Sequence, residues 1–363
     1  MSKYSYYLLL LCLPLLSGCQ SVEQLSIDYM LPADVSFPPS LKRVAIVNNM
    51  PENPDNQLIV PKDKKKDELE IARKVDYYNG NAAIAAESLA EALAKENYFN
   101  EIVICDSALR AKDITPRESA LTRDEINQLI DELDVDFLIA LENVQIRSVR
   151  KVNYLRDWGI YYGTVDAKVY PTVRVYLPNR STPMVTINNN DSIFWEETGN
   201  GPYVQANLIS EEDVLKQASE FAGTIPVKKL LPYWKTANRN IFGGGSVNMR
   251  DAMVYARNKQ WDKSIELWKQ TYATKKGKIK MQAAYNLAVG YEMQDSIITA
   301  TDWALKAQAE ARVVDGVDKK DLSHLNREDL PYYVLTTLYV TELQDRKEGL
   351  TRLNMQMQRF NEE

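Results

Sequence analysis

Shifted against itself by 36 residues, the chain places Ala252, Tyr255, Ser264 and Thr271 over Ala288, Tyr291, Ala300 and Ala307. Small residues fall on small ones and tyrosine on tyrosine. A period of this length belongs to stacked helical hairpins, because one helix pair cannot bury its apolar face without a neighbouring pair to cover it. Trp261, Ile265 and Trp268 would fill the first pair, and Leu287, Ile297 and Leu305 the second. Trp303 falls at the same helical spacing, which suits a core position better than a binding face. After an insertion from Val313 to Asp329, Thr336 and Tyr339 keep the spacing, so the end reads as a degenerate capping unit.

Upstream of Gly243-Gly244-Gly245, which the composition marks as a linker, strands and helices alternate. Val44-Ala45-Ile46-Val47 is a short buried strand. Asn48 to Gly80 reads as a long connection holding Pro51, Pro54, Pro61 and a mixed-sign cluster from Lys62 to Glu70 that is most simply a solvated face. Asn81 caps a helix in which Ala82, Ala85, Ala86, Leu89 and Leu93 recur at helical spacing, and strand Ile102 to Cys105 follows. Thr122 and Glu125 form a capping box ahead of Ile126, Leu129, Ile130 and Leu133, and Phe137 to Leu141 is the next buried strand. Right-handed crossovers would pack both helices on one sheet.

The period then becomes two. Val165, Ala167, Val169, Val173, Val175 and Leu177 alternate with Asp166, Lys168, Thr172, Arg174 and Tyr176, which gives one dry and one wet face. Pro171 inside the run requires an edge or a bulge. A turn from Pro178 to Pro183 leads to a partner strand carrying Val185, Ile187, Ile193 and Trp195, and Ser210 with Asp213 starts an amphipathic helix that Pro226 ends. The fold class expected is α/β, a mixed sheet with flanking helices over residues 41–240, plus a C-terminal all-α helical-repeat domain over 241–363.

The first residues carry an address. Lys3 precedes the apolar run Leu8 to Leu16, which is too short to span a bilayer, and Leu16-Ser17-Gly18-Cys19 follows with small residues before the cysteine. An ordinary secretory signal is the plain alternative. Residues 1–18 are then a signal peptide and 19–40, with Pro32, Pro38 and Pro39, an extended tether. Cys12 would leave with the signal and Cys105 closes an apolar run as a core thiol, so no disulfide is expected.

Composition removes several classes of chemistry. With 44 Lys plus Arg against 50 Asp plus Glu, nucleic acid is not an expected partner. His324 is the single histidine, which leaves little room for a serine triad or a zinc cage, and no cofactor or metal site is expected. Gly243-Gly244-Gly245-Ser246 lacks the preceding strand and lysine of a phosphate loop. Asn188-Asn189-Asn190-Asp191 is oxygen-rich but without the spacing of a calcium loop. Glu196 and Glu197 are neighbours on a strand, so they point to opposite faces and cannot work as a carboxylate pair. Tyr154, Trp158, Tyr161 and Tyr162 are the candidate binding surface, since polar-tipped aromatics anchor partner surfaces and sugar platforms. The bland alternative is that they pack the loop joining two long strands.

Four resemblances extend this reading. Leu16 to Cys19 resembles the lipobox of bacterial lipoproteins, which implies that Cys19 is lipidated. The small-residue and tyrosine spacing over about residues 246–312 is similar to tetratricopeptide repeats, without their closing proline and with Ala304 where a large aromatic is usual. Leu41 to Trp234 is similar to the periplasmic α/β domain of curli-secretion lipoproteins and the amino-terminal part of TolB, through strand Val44–Val47, helix Ala82–Ala94, strand Phe137–Leu141 and the run Leu230 to Trp234. Taken whole, the order of segments resembles an uncharacterised family of lipoproteins from Bacteroides-like bacteria. The resemblances imply a lipid-anchored protein of the cell envelope, at the outer membrane, held by lipid on Cys19. The family as a whole carries no known activity; the anchor, the repeat and the absence of any convergent catalytic set lead to the expectation of a non-enzymatic interaction or assembly scaffold whose partners are other envelope proteins. A glycan-binding or glycan-processing lipoprotein is the alternative, and a carboxylate hydrolase is a third reading that no spacing supports.

Overall fold

The computed structural model describes residues 22–51, 70–110, 120–319 and 327–360. Cys19 and the leader, most of the charge cluster from Lys62, and His324 lie outside the described residues. The described chain forms an α/β unit and a helical unit. Residues 32–233 and 354–360 build the first, and residues 22–31 and 234–353 the second.

The expected tether over 19–40 is therefore not one from residue 22 onward. Strand β1 (Val22–Leu31) belongs to the helical unit, and in the segment after it Val35 and Phe37 are buried in the α/β core. Phe37 packs against Phe99 and Phe137 at ring distances of 5.3 and 5.2 Å, which outweighs the local extended preference of the prolines.

In the α/β unit, β2 (Arg43–Asn48) runs parallel to both β4 (Glu101–Ala108) and β5 (Phe137–Leu155) and lies between them. Right-handed crossovers from β2 out to β4, then back across β2 to β5, put the connecting helices on opposite faces. The packing agrees. Helix α1 (Ala82–Lys95), capped by Asn81, buries Ala85, Leu89 and Leu93 with Val44, Ile46, Phe137 and Ile139. Helix α2 (Arg123–Leu133), with its Thr122–Glu125 capping box in place, buries Ile126 and Ile130 with Ala45, Val47, Leu138 and Ala140.

The expected connection from Asn48 to Gly80 ends instead in strand β3 (Glu70–Asn79), antiparallel to β5 from Gln145 onward. It was hidden because Arg73, Lys74 and Asp76 break any apolar alternation on this edge strand. β5 itself runs on to Leu155, far beyond the buried pentad that ends at Leu141, and pairs along its length with β6 (Ile160–Tyr176). The far side of β6 pairs first with β8 (Asp191–Gly199) and then with β7 (Val185–Asn188). Pro171 lies in the gap between those two ladders, and the β5–β6 register shifts close by, between Leu141 and Asn143. A residue without an N–H fits there at no loss. Tyr176, expected on the wet face, is fully buried under α2.

Helices α3 (Gly201–Asn207), α4 (Glu211–Thr224) and α5 (Val227–Leu230) complete the unit on the α1 side. Gly223 lets α4 approach α1 closely, since a Cβ there would collide with the carbonyl of Ala85. Residues 354–360 close the same core: Gln356 accepts from Ala33 N at 3.0 Å and donates to Val35 O at 2.8 Å, and Arg359 lies 4.1 Å over the Tyr98 ring.

In the helical unit, β1 pairs with β9 (Tyr233–Phe242), and α6 (Val247–Arg257), α7 (Trp261–Thr274), α8 (Gly277–Glu292), α9 (Ile297–Val314) and the Pro331–Leu353 part of α10 (Pro331–Met357) follow. The repeat is visible in the backbone. Lys259 and Asp295, 36 residues apart, carry the same left-handed conformation at φ 56° and 57°. The turns around them match bond for bond, with Gln260 N on Tyr255 O and Ser296 N on Tyr291 O, both at 2.9 Å. Ser264 and Ala300 are fully buried, as are Thr271 and Ala307 apart from a trace. Trp268 fills the first pair as expected; Leu305, assigned to the second, is 41% exposed.

Gly243 to Gly245 are not a linker. A Cβ at Gly243 would stand 2.9 Å from Met253 Cε, and one at Gly245, where φ is +91°, 2.8 Å from Ile279 Cγ1. The glycines form a packed entry to α6, and close approach is what selects them.

The unit also buries charge. Glu292 is fully buried and receives Arg239 through Nε at 2.8 Å and Nη2 at 2.9 Å, the Tyr339 hydroxyl at 2.6 Å, and Arg346. Arg239 reaches on to Glu342, which also accepts from Tyr29 of β1. Burial first, and the neighbouring Glu292 second, hold the Tyr339 hydroxyl well above its ordinary pKa.

Candidate functional site

The four candidate aromatics sit at one end of the long β5–β6 ribbon, but they do not converge. Tyr154 and Tyr161 are opposite one another in the ladder, with ring centres 5.0 Å apart. They share the face carrying Val165 and Ala167, and the Tyr161 ring lies against Gly201 of α3. Tyr162 points to the opposite face, where its hydroxyl donates to Glu196 at 2.6 Å, and that bond together with partial burial raises its pKa. Trp158 lies in the turn between the strands, closed by Trp158 N and Gly159 N on Leu155 O, and is 75% exposed. Period-two alternation separates neighbours that the linear sequence puts together.

A second arrangement has no counterpart in linear sequence. Ile146, Val165, Ala167 and Val169 face the helices, so the alternate residues of the same strands face away. On that face Arg147 stands opposite Lys168, and one row removed from them Arg73 stands opposite Lys151. Between the two cationic rows runs Val75–Val149–Asp166–Phe194. Like charges directly opposed in a ladder are destabilising, by up to about 1 kcal/mol per pair. Among the described residues Arg147, Lys151 and Asp166 make no side-chain hydrogen bond or ion pair; Lys168 lies 5.5 Å over the ring of Tyr170. Tyr77 and Phe194 flank the cations at 40% and 52% exposure. Among the described residues no helix packs on this part of the sheet.

Where α2 begins to cover that face, a cleft of about 560 Å³ opens at the carboxyl ends of β2 and β4, lined by Asn49, Cys105, Ser107, Arg110, Glu125 and Glu132. The connections leaving β2 and β4 go to opposite faces, and such a switch point leaves a crevice in an α/β sheet. Its floor is a buried chain of hydrogen bonds. Arg110 Nε donates to Asn49 Oδ1 at 2.8 Å, Asn49 Nδ2 to Glu142 at 2.8 Å, and the Tyr176 hydroxyl to Glu142 at 2.7 Å. Cys105, expected as a core thiol, is half-buried and free, packed beside the α2 core at the cleft wall.

These features belong to a domain already delineated in other chains. Residues 41–242 match the domain of unknown function DUF8603. The chain belongs to the DUF8603 family. Its residues 250–345 match a second domain of unknown function, DUF6340, which takes in the helical repeat. No curated protein matches the chain. The DUF8603 match covers the whole ribbon, both of its faces and the cleft, so all three arrangements are parts of one domain. Within the described part of that domain, Asn188 to Asp191 form the turn between β7 and β8, and Asn189 donates to Ile225 O at 2.9 Å. No group of three or more histidine, cysteine or acidic side chains is close enough to hold a metal ion among the described residues. Among the same residues, no helix is long and apolar enough to cross a membrane.

The cleft floor of the DUF8603 domain makes a pH prediction. Burial raises the Glu142 carboxyl above the ordinary glutamate range, while the Tyr176 and Asn49 hydrogen bonds and the charges of Arg174 and Arg110 offset it only in part. A raised folded-state pKa favours the fold while the group is protonated, and that contribution is lost as pH rises through the folded value. The melting temperature of Glu142→Gln relative to the parent should therefore move in favour of the variant between about pH 4 and pH 8. A difference that is flat over this range, or moves the other way, contradicts the burial argument. Burial and Glu142 push Tyr176 up to about 12, so it stays a donor throughout.

Proposed function

We propose that this chain is a lipid-anchored, non-enzymatic interaction protein of the bacterial cell envelope, tethered to the outer membrane through Cys19 and engaging other envelope proteins. The leader and its small-residue approach to Cys19 support the address. Several acyl chains on one cysteine hold a folded body at a membrane without any contact from the body itself. The repeat of stacked helices supports a scaffold role, since such arrays work by presenting extended surface.

The observation that carries the reading is Trp158. A tryptophan 75% exposed on a turn makes no contribution to a core, and the ribbon beneath it is braced by the Tyr154–Tyr161 pair and by Tyr162 on Glu196. Rigidly presented aromatics of this kind are the anchors of partner surfaces. Tyr161 and Tyr162 support the tip from below.

Crosslinking of the tagged lipoprotein in intact cells, read by mass spectrometry, tests the reading. Trp158→Ala should remove a small, reproducible set of envelope proteins while leaving the melting temperature within about 1 °C, as exposed substitutions do. An unchanged set of crosslinks removes Trp158 from the interface. A parent that yields no envelope protein at all ends the scaffold reading. Labelling with a palmitate analogue should be abolished by Cys19→Ser, and persistent labelling would contradict the anchor.

A further inference from the structure

We propose that the face of the β3–β5–β6–β8 sheet on which no helix of the described residues packs binds an acidic glycan whose carboxylates are separated by neutral sugars. The inference depends on neither the anchor nor Trp158.

The chain carries a net charge of -6, yet Arg73, Arg147, Lys151 and Lys168 are gathered by strand register onto one sheet face. They come from three strands, and no single segment carries them. Placing Arg147 across from Lys168 works against the fold, whereas the second row sets Lys151 between Arg73 on one side and Thr164 and Glu196 on the other. An anionic ligand reverses the sign of the first interaction, because Arg147 and Lys168 then share a counter-charge instead of repelling, and a second anionic group supplies one to Lys151. Among the described residues Arg147 and Lys151 hold no ion-pair partner that a ligand would have to displace.

The arrangement also selects the kind of anion. Arg147 and Lys151 are four residues apart on β5, or about 13 Å at the rise of an extended strand. Asp166 lies between the two cationic rows. A nucleic-acid strand carries a charge about every 3.4 Å, so one crossing both rows would set phosphates over Asp166. A chain with neutral units between its charges avoids that clash. Tyr77, Tyr170 and Phe194 supply what the neutral units need, since aromatic faces stack on the apolar faces of pyranose rings. Cations on two rows, Asp166 between them, Glu196 at the end of one row where the Tyr162 hydroxyl engages it, and aromatics at the sides fit a sparsely carboxylated polysaccharide better than a dense polyanion.

The test is affinity electrophoresis of the detergent-solubilised full chain through gels containing hyaluronate, which alternates charged and neutral sugars, or neutral dextran. Hyaluronate should retard the protein and dextran should not. The triple variant R147Q/K151Q/K168Q should bind hyaluronate about tenfold or more weakly, as loss of charged hydrogen-bond donors predicts, with a melting temperature equal to or above the parent's. D166N should bind about two- to threefold more tightly, because a screened repulsion is removed. That gain is a result misfolding cannot produce. No retardation of the parent, equal retardation of the triple variant, or D166N binding no better than the parent each overturns the proposal. So does binding to phosphatidylglycerol vesicles with none to hyaluronate, which would make the face a membrane surface.

Discussion

Replacing Glu292 with alanine is expected to destabilise the helical unit by about 3–5 kcal/mol, because it strands the buried guanidinium of Arg346 and leaves that of Arg239 with Glu342 alone. Arg239 and Arg346 are only 5% and 6% exposed at their side chains, and Glu292 is completely enclosed. The Tyr339 hydroxyl loses its acceptor at the same time. Urea unfolding of the full chain, followed by far-ultraviolet circular dichroism, should show the early transition of a loosened helical unit. Replacing Arg239, Glu292 and Arg346 together with apolar residues of similar volume should recover most of the loss, since desolvation then disappears with the charges. A single Glu292→Ala variant that unfolds with the parent would mean that water reaches the cluster.

Trp268→Ala should be of the same size, about 3–5 kcal/mol, through the cavity left by a fully buried tryptophan. The site has little freedom to collapse. Gly290 lies so close that a Cβ there would come within 3.0 Å of the indole ring, and the neighbouring helices are held in register by the repeated turns. Among the described residues Trp268 Nε1 has no hydrogen-bond partner, so Trp268→Phe gives up volume without orphaning an acceptor and should lose less than half as much. Equal losses for the two variants would point to a hydrogen bond at the indole nitrogen.

How much of this was legible beforehand follows from which interactions are local. The Thr122–Glu125 box, the Asn81 cap and the small-residue spacing of the repeat are encoded within a few residues of each other, and they reappear in the structure with the expected bonds. β3 was missed because it is an edge strand with charge on both faces, where apolar alternation has no reason to exist. β1 and the Val35–Phe37 segment resemble a tether in the sequence because their partners lie some 200 and 100 residues away. The aromatic cluster looked like a single site because its members are close in sequence, and alternation divides it between two faces and a turn. The alternation from Val165 to Leu177 did give the wet face of β6. Only the register of β5 against β3 and β6 brings Arg73, Arg147, Lys151 and Lys168 onto it, and register is a long-range property.

The α/β unit takes its closing segment, residues 354–360, from beyond the entire helical unit. A ribosome adds about 5–20 residues per second, so the roughly 120 residues between the two parts occupy about 6–24 s of synthesis. Throughout that interval Ala33 N, Val35 O and the Tyr98 hydroxyl have no Gln356 to pair with. Strand β1 waits longer still for β9, over roughly 200 residues of synthesis. The order in which this chain is made is thus not the order in which its parts can be finished, and a nascent chain stalled before Gln356 presents an open, aggregation-prone edge of the core to any chaperone or protease.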